Sequence, residues 1–252
     1  MNSSTVTSHY GGKLASGETK KRISFISEIK SMEHIVKILT IENVTHDVKR
    51  FRCEKPDGYH FVAGQATEVS INKDGWREEK RPFTFTSLDE SPDLEFVIKI
   101  YSDHTGVTNE LNSLKPGDGL IVRDVWGTIE YKQPGYFIAG GAGITPFIAI
   151  IRSLHKKGKL DGNKLFFSNK TARDIILQEE FTSMLHGNAI YTITDEPSNI
   201  YLNGFINEQF LRSHVDDFGK NFYLCGPPKM IEAMQEVLGK LGASPEAVVF
   251  EK

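Results

Sequence analysis

Apolar residues follow two different rhythms along the chain, and the change falls near residue 131. Between 34 and 125 they come in short runs that alternate or are rich in β-branched residues: 34–44 (HIVKILTIENV), 48–55 (VKRFRCEK), 59–71 (YHFVAGQATEVSI), 81–87 (RPFTFTS), 94–101 (LEFVIKIY) and 119–125 (GLIVRDV). Pro, Gly and Asp turns such as 56–58 and 115–119 separate them, so the pattern predicts six strands of a closed antiparallel Greek-key β-barrel. One helix is expected within it, opening near Thr105 or Gly106 and running through Leu111 and Leu114. Beyond 131, strands at 135–139, 164–168, 189–194 and 221–226 alternate with helical segments at 146–155, 176–185, 206–214 and 230–241. That alternation implies parallel βαβ units in a doubly wound, Rossmann-like α/β sheet. The expected organisation is a polar, mobile leader over 1–30, a barrel domain over 31–131 and an α/β domain over 132–252.

Composition narrows the chemistry. A formal charge of -3 over 252 residues gives no bulk attraction to nucleic acid. Two cysteines, Cys53 and Cys225, are too few for a disulfide framework, a four-thiolate zinc site or an iron-sulfur cluster, so any cluster is expected on a partner. The eight histidines show no paired metal-ligand spacing, and no bound metal is expected. No run approaches 18 apolar residues and the first 22 lack a signal-peptide core, so the expectation is a cytoplasmic protein without membrane spans. Neither Ser87 nor Ser168 stands in a nucleophile elbow, which disfavours hydrolysis.

Four segments carry candidate chemistry. GGAGITPF at 140–147 follows a strand and opens a helix, where glycines admit a phosphate to the backbone and the helix start offers unpaired N–H groups. It departs from the G-x-G-x-x-G dinucleotide pattern, so a plain strand-to-helix turn is the competing reading. CGPPKM at 225–230 places a cysteine at the carboxyl end of the last predicted strand, where open α/β sheets bind ligands; a small buried Cys225 before a proline-opened helix explains it equally well. In the barrel half, 81–87 sets Arg81, Phe83 and Phe85 on one face of a strand and Thr84 and Thr86 on the other unless it bends. TGVTNEL at 105–111 offers Thr108 as the cap of a second phosphate-binding helix start.

Taken in this order, the four segments resemble the ferredoxin-NADP reductase family over 33–252. The resemblance implies a flavin-binding barrel and an NAD(P)H-binding α/β domain whose two rings meet in the cleft between. Its R-x-Y-[ST] flavin motif is matched by Arg81, Pro82, Phe83 and Thr84, with phenylalanine in place of tyrosine. Arg81 would then neutralise the flavin phosphate, Phe83 would pack on the ring, and Thr84 would hydrogen-bond flavin N5. Ile98 and Lys99 match positions along the flavin's polar edge, and Gly106, Val107 and Thr108 match a pyrophosphate turn that favours FAD, with FMN possible. Gly141, Gly143, Thr145 and Pro146 match the nucleotide turn. Cys225 matches a cysteine beside nicotinamide C4, completed by Gly226, Pro227 and Met230, and Glu251 matches an acidic residue near flavin N5.

Cofactor choice turns on Ser168, Asn169, Lys170 and Arg173: no carboxylate ends that strand and two cations are available for a 2'-phosphate, which favours NADPH over NADH, with solvated loop charges as the alternative. Asp174 reads as a helix cap. The function implied is a flavoprotein carrying electrons from NADPH through FAD to a separate flavodoxin or ferredoxin, or to an oxygenase system. A non-catalytic flavin or nucleotide sensor and a reductase of free flavin or another small acceptor are the alternatives.

Overall fold

The computed structural model describes residues 32–103, 105–127 and 129–250. Its first half is six antiparallel strands, β1 (His34–Asn43), β2 (Val48–Glu54), β3 (Ala66–Ile71), β4 (Arg81–Thr84), β5 (Asp93–Lys99) and β6 (Gly119–Trp126), in the order β4-β3-β6-β1-β2-β5. The two ends of that order meet just beyond β4. There the Phe85 N–H donates to the Gln65 carbonyl on the β3 side (3.0 Å) and the Thr86 N–H donates to the Glu95 carbonyl of β5 (2.8 Å). The segment 81–87 does bend, as its sequence allowed: Phe85, Thr86 and Ser87 are all buried in succession. Phe85 stacks on Phe61 at 4.1 Å inside a core of Val36, Ile38, Phe51, Phe96, Leu120 and Val122.

The helix expected after Thr105 is short, α1 (Val107–Glu110) followed by a 3-10 turn (Leu111–Ser113), with Val107 and Leu111 pinned in the barrel core. Its cap position is Gly106, with no side-chain cap, so Thr108 sits inside the first turn and does not cap it.

The second half is a parallel sheet of β7 (Gly135–Gly140), β8 (Lys164–Asn169), β9 (Ala189–Ile193), β10 (Leu202–Asn203), β11 (Asn221–Cys225) and β12 (Val248–Phe250), in the order β10-β9-β8-β7-β11-β12. Helices α2 (Thr145–Lys156), α3 (Gln178–Leu185), α4 (Glu208–His214) and α5 (Pro228–Lys240) connect the strands. Alternate residues serve opposite faces, as a sheet covered on both sides requires. Phe137, Leu165, Phe167, Tyr223 and Cys225 pack with α2 and α3, while Tyr136, Phe166, Phe222 and Leu224 pack with α4 and α5. The first of these cores also holds Val48, Val97 and Ile129, so apolar packing runs unbroken from the α/β sheet to the barrel.

Candidate functional site

Strand order reverses between β7 and β11: the chain leaves β7 towards β8 and β9 on one side and returns to β11 on the other. Ligands of open α/β sheets bind outside the strand carboxyl ends at such a point. Both nucleotide segments expected from sequence lie there. The 3-10 turn Gly141–Ile144 follows β7 and runs straight into α2, while Cys225 ends β11 and Gly226 and Pro227 follow it into α5. They are in backbone contact, since a Cβ on Gly143 would lie 2.3 Å from the Cys225 carbonyl oxygen. Gly141 has φ +52 and nothing within 4 Å of where a Cβ would stand, which fits a turn glycine facing open space. Met230 and Pro227 press on Gly140, so both belong to the packing beneath the turn. Pro146 occupies the opening turn of α2, and the Thr145 hydroxyl donates to the Ala142 carbonyl (3.1 Å). Cys225 is buried on the face shared with α2.

One strand further out, Asn169 ends β8 with a side chain only 5% exposed and neither amide atom paired; the buried Thr192 hydroxyl of β9 is also unpaired. Orphaned buried polar atoms at a carboxyl edge call for a partner from outside the chain. Lys170 and Arg173 are exposed, and Asp174 closes a capping box with Thr171. The sequence reading missed what β9 brings to this loop: the Asp195 N–H donates to the Lys170 carbonyl (2.9 Å), and a Glu196 carboxylate oxygen accepts from the Ala172 N–H (2.7 Å). Two acidic residues are therefore tied to the backbone of the loop that carries the cations. They lie more than twenty residues downstream in sequence, and only the β8–β9 pairing reveals the proximity.

In the barrel, Arg81 and Pro82 are exposed, Phe83 is half-buried against the barrel core and Thr84 is buried where β4 ends. The turn leading into Arg81 is tied to α1, because the Lys73 ammonium donates to Glu110. The first amide groups of the helix opened by Gly106 have no intrahelical partner. No Cβ on Gly106 would meet anything within 4 Å. Ile98 is buried and Lys99 pairs with Asp47 at 2.7 Å. Burial pushes the Asp47 carboxyl up, but the Lys99 and Thr45 hydrogen bonds outweigh it and hold it below the usual range. Cys53 packs in the barrel core, where burial pushes its thiol up to about 12. Glu251 lies outside the described residues. His46, Asp47 and Asp174 approach one another closely enough to share an ion, but Lys99 already neutralises Asp47 and Thr171 occupies Asp174.

Residues 35–131 match the model of an oxidoreductase FAD-binding domain and residues 137–236 that of an oxidoreductase NAD-binding domain. NADH-cytochrome b5 reductase 1 of Bos taurus is 30% identical over 254 residues, covering 84% of this chain and 83% of the relative. The chain belongs to the ferredoxin-NADP reductase family. NADH-cytochrome b5 reductase 1 of Arabidopsis thaliana is likewise 30% identical over 230 residues, covering 83% of this chain and 80% of that protein. Among solved structures, a ferredoxin NADP+ reductase from Neisseria gonorrhoeae with bound FAD and NADP superposes with TM-score 0.77 at 18% identity, covering 87% of this chain and 98% of its own. The cytochrome b5 reductase domain of Ulva prolifera nitrate reductase follows at TM-score 0.76 and 23% identity, covering 87% and 97%. As a member of that family the protein is an FAD- and NAD-dependent oxidoreductase, and among the described residues no helix is long and apolar enough to cross a membrane.

Proposed function

We propose that this protein oxidises NADH and delivers the electrons singly to a separate carrier protein of the cytochrome b5 type. The observation that carries the reading is the contact of the 141–144 turn with the end of β11 at the topological switch point, on the sheet face that packs towards the barrel. FAD supplies the chemistry, accepting a hydride and giving up electrons one at a time. The chain supplies position and charge. Arg81 and the amides of Val107 and Thr108 neutralise the flavin phosphates, Phe83 covers the ring, and the Thr84 hydroxyl holds the N5 edge. The turn at Gly141 and Gly143, together with the start of α2 at Thr145 and Pro146, receives the dinucleotide phosphates. Cys225, Gly226 and Pro227 floor the nicotinamide.

NADH is preferred here to the NADPH suggested by Lys170 and Arg173 alone, because Asp195 and Glu196 share their loop and would repel a 2'-phosphate, whereas a carboxylate suits a free ribose 2'-hydroxyl. The relatives from Bos taurus and Arabidopsis thaliana are named NADH-cytochrome b5 reductases, which supports the same choice. Steady-state oxidation of NADH and NADPH, each with cytochrome b5, flavodoxin, ferredoxin and ferricyanide as acceptor, tests the proposal. NADH with cytochrome b5 is expected to be the fastest protein-acceptor pair. Faster turnover with flavodoxin or ferredoxin would move the acceptor to those carriers, and turnover with ferricyanide alone would leave only small acceptors.

A further inference from the structure

Arg152 is a cation in the middle of α2, on a helix whose residues 146–151 are all buried. Its guanidinium reaches across to the barrel: Nη1 donates to the Thr86 carbonyl (2.7 Å) and to Glu95 Oε1 (2.6 Å). On its own side, Nε and Nη2 grip both oxygens of Glu180 on α3 (2.5 and 2.9 Å). The barrel end is itself closed into a unit, for Glu95 Oε1 also accepts from the Thr86 hydroxyl (2.8 Å) and the Thr86 N–H donates to the Glu95 carbonyl. Side chains of Arg152 and Glu95 are 20% and 14% exposed, so the pair works largely out of water. Burial alone would push the Glu95 carboxyl up and the Arg152 guanidinium down; their mutual attraction and hydrogen bonds reverse both, leaving Glu95 below and Arg152 above the ordinary values.

The two ends of this link are the two halves of the proposed electron-transfer site. Thr86 lies two residues beyond Thr84, and Phe85 between them is fixed by its N–H on Gln65 and its ring on Phe61. Arg152 lies seven residues along α2 from Thr145, roughly 10 Å at 1.5 Å per residue of a rigid helix that begins at the nucleotide turn. A planar, bidentate guanidinium fixes direction as well as distance, which an ammonium does not. We propose that Arg152 is a positioning residue, a strut that sets the nucleotide turn at the head of α2 against the flavin-contacting end of β4 at Thr84. This rests on the function proposed above, and the guanidinium acts through Thr86, Glu95 and Glu180. Lys156, one turn further along α2, also reaches the barrel through Glu90 at 2.6 Å, but both side chains are more than half exposed and that pair is screened by water.

The test uses the flavin-loaded enzyme and the variants R152Q, R152K, E95Q and E90Q, with flavin content measured first. Three quantities are read: the rate at which saturating NADH bleaches the flavin in rapid mixing, the NADH concentration for half-maximal rate, and amide exchange over residues 84–87. The strut predicts that R152Q and E95Q bleach about 10- to 100-fold more slowly, as a misplacement of about 1 Å costs, with half-saturation shifted less than about threefold. It also predicts faster exchange at 84–87, a rate for R152K between wild type and R152Q, and E90Q indistinguishable from wild type. If R152Q does not fold, E95Q carries the test. Bleaching by R152Q or E95Q within about threefold of wild type, or E90Q slowed as much as E95Q, overturns the strut. A wild-type enzyme that holds flavin but is not bleached by NADH overturns the proposed function instead, and unchanged exchange in E95Q then rejects the strut by itself.

Discussion

At Gly143 the space for a side chain is taken by the Cys225 carbonyl, 2.3 Å from where a Cβ would stand. Gly143→Ala must therefore push the turn off the end of β11, and we expect a loss of about 1–3 kcal/mol, the usual cost of overpacking, together with at least a tenfold rise in the KM for NADH. Thermal melting and steady-state kinetics check the two parts. Asp195 is tested differently: Asp195→Asn removes the charge and keeps the shape, so kcat/KM for NADH should fall about tenfold, one charged hydrogen bond, while that for NADPH holds or rises. An unchanged NADH to NADPH ratio would return the choice to Lys170 and Arg173. Arg81, Thr84, Gly141 and Cys225 are candidates from sequence because each sits in a short contiguous pattern. Asp195, Glu95 and Arg152 are not, since what matters about them is which strand or helix lies alongside, and no local spacing encodes that.

Among elements, β1 to β9 and β11 and helices α2 to α5 were legible because period-2 and period-3.6 patterning is strong there. β10 and β12, of two and three residues, were not, being too short to show a period and defined only by their pairing with β9 and β11. α1 was expected to be longer; Val107 in it and Leu111 in the 3-10 turn that follows both pack into the barrel core. At this scale the junction of α2 with β5 gives a pH prediction. Glu95 is held below the ordinary glutamate value of 4.5 in the folded state, so its contribution to stability is complete above that value and is lost as pH falls through the depressed one. The melting-temperature difference between wild type and Glu95→Gln should accordingly be constant at neutral pH and shrink as pH drops below about 4.5; a difference independent of pH would remove the charge from the account.

For the molecule as a whole, the core that joins Val48, Val97 and Ile129 of the barrel half to α2, α3 and the sheet predicts that both halves unfold together. Ile129→Ala should cost about 2–5 kcal/mol and preserve a single transition by calorimetry and by flavin release; separated transitions would show two independent bodies. Unity of this kind suits the proposed site, shared between two sheets, and it was invisible in a sequence whose rhythm breaks near residue 131. The most direct measurement is an anaerobic titration of the purified protein with NADH, followed at the flavin absorbance, with the released flavin identified afterwards. The expected result is a yellow protein carrying FAD, bleached fully by one equivalent of NADH and reoxidised on adding oxidised cytochrome b5. A protein that binds no flavin under any reconstitution, or binds FAD that neither NADH nor NADPH bleaches, would contradict it.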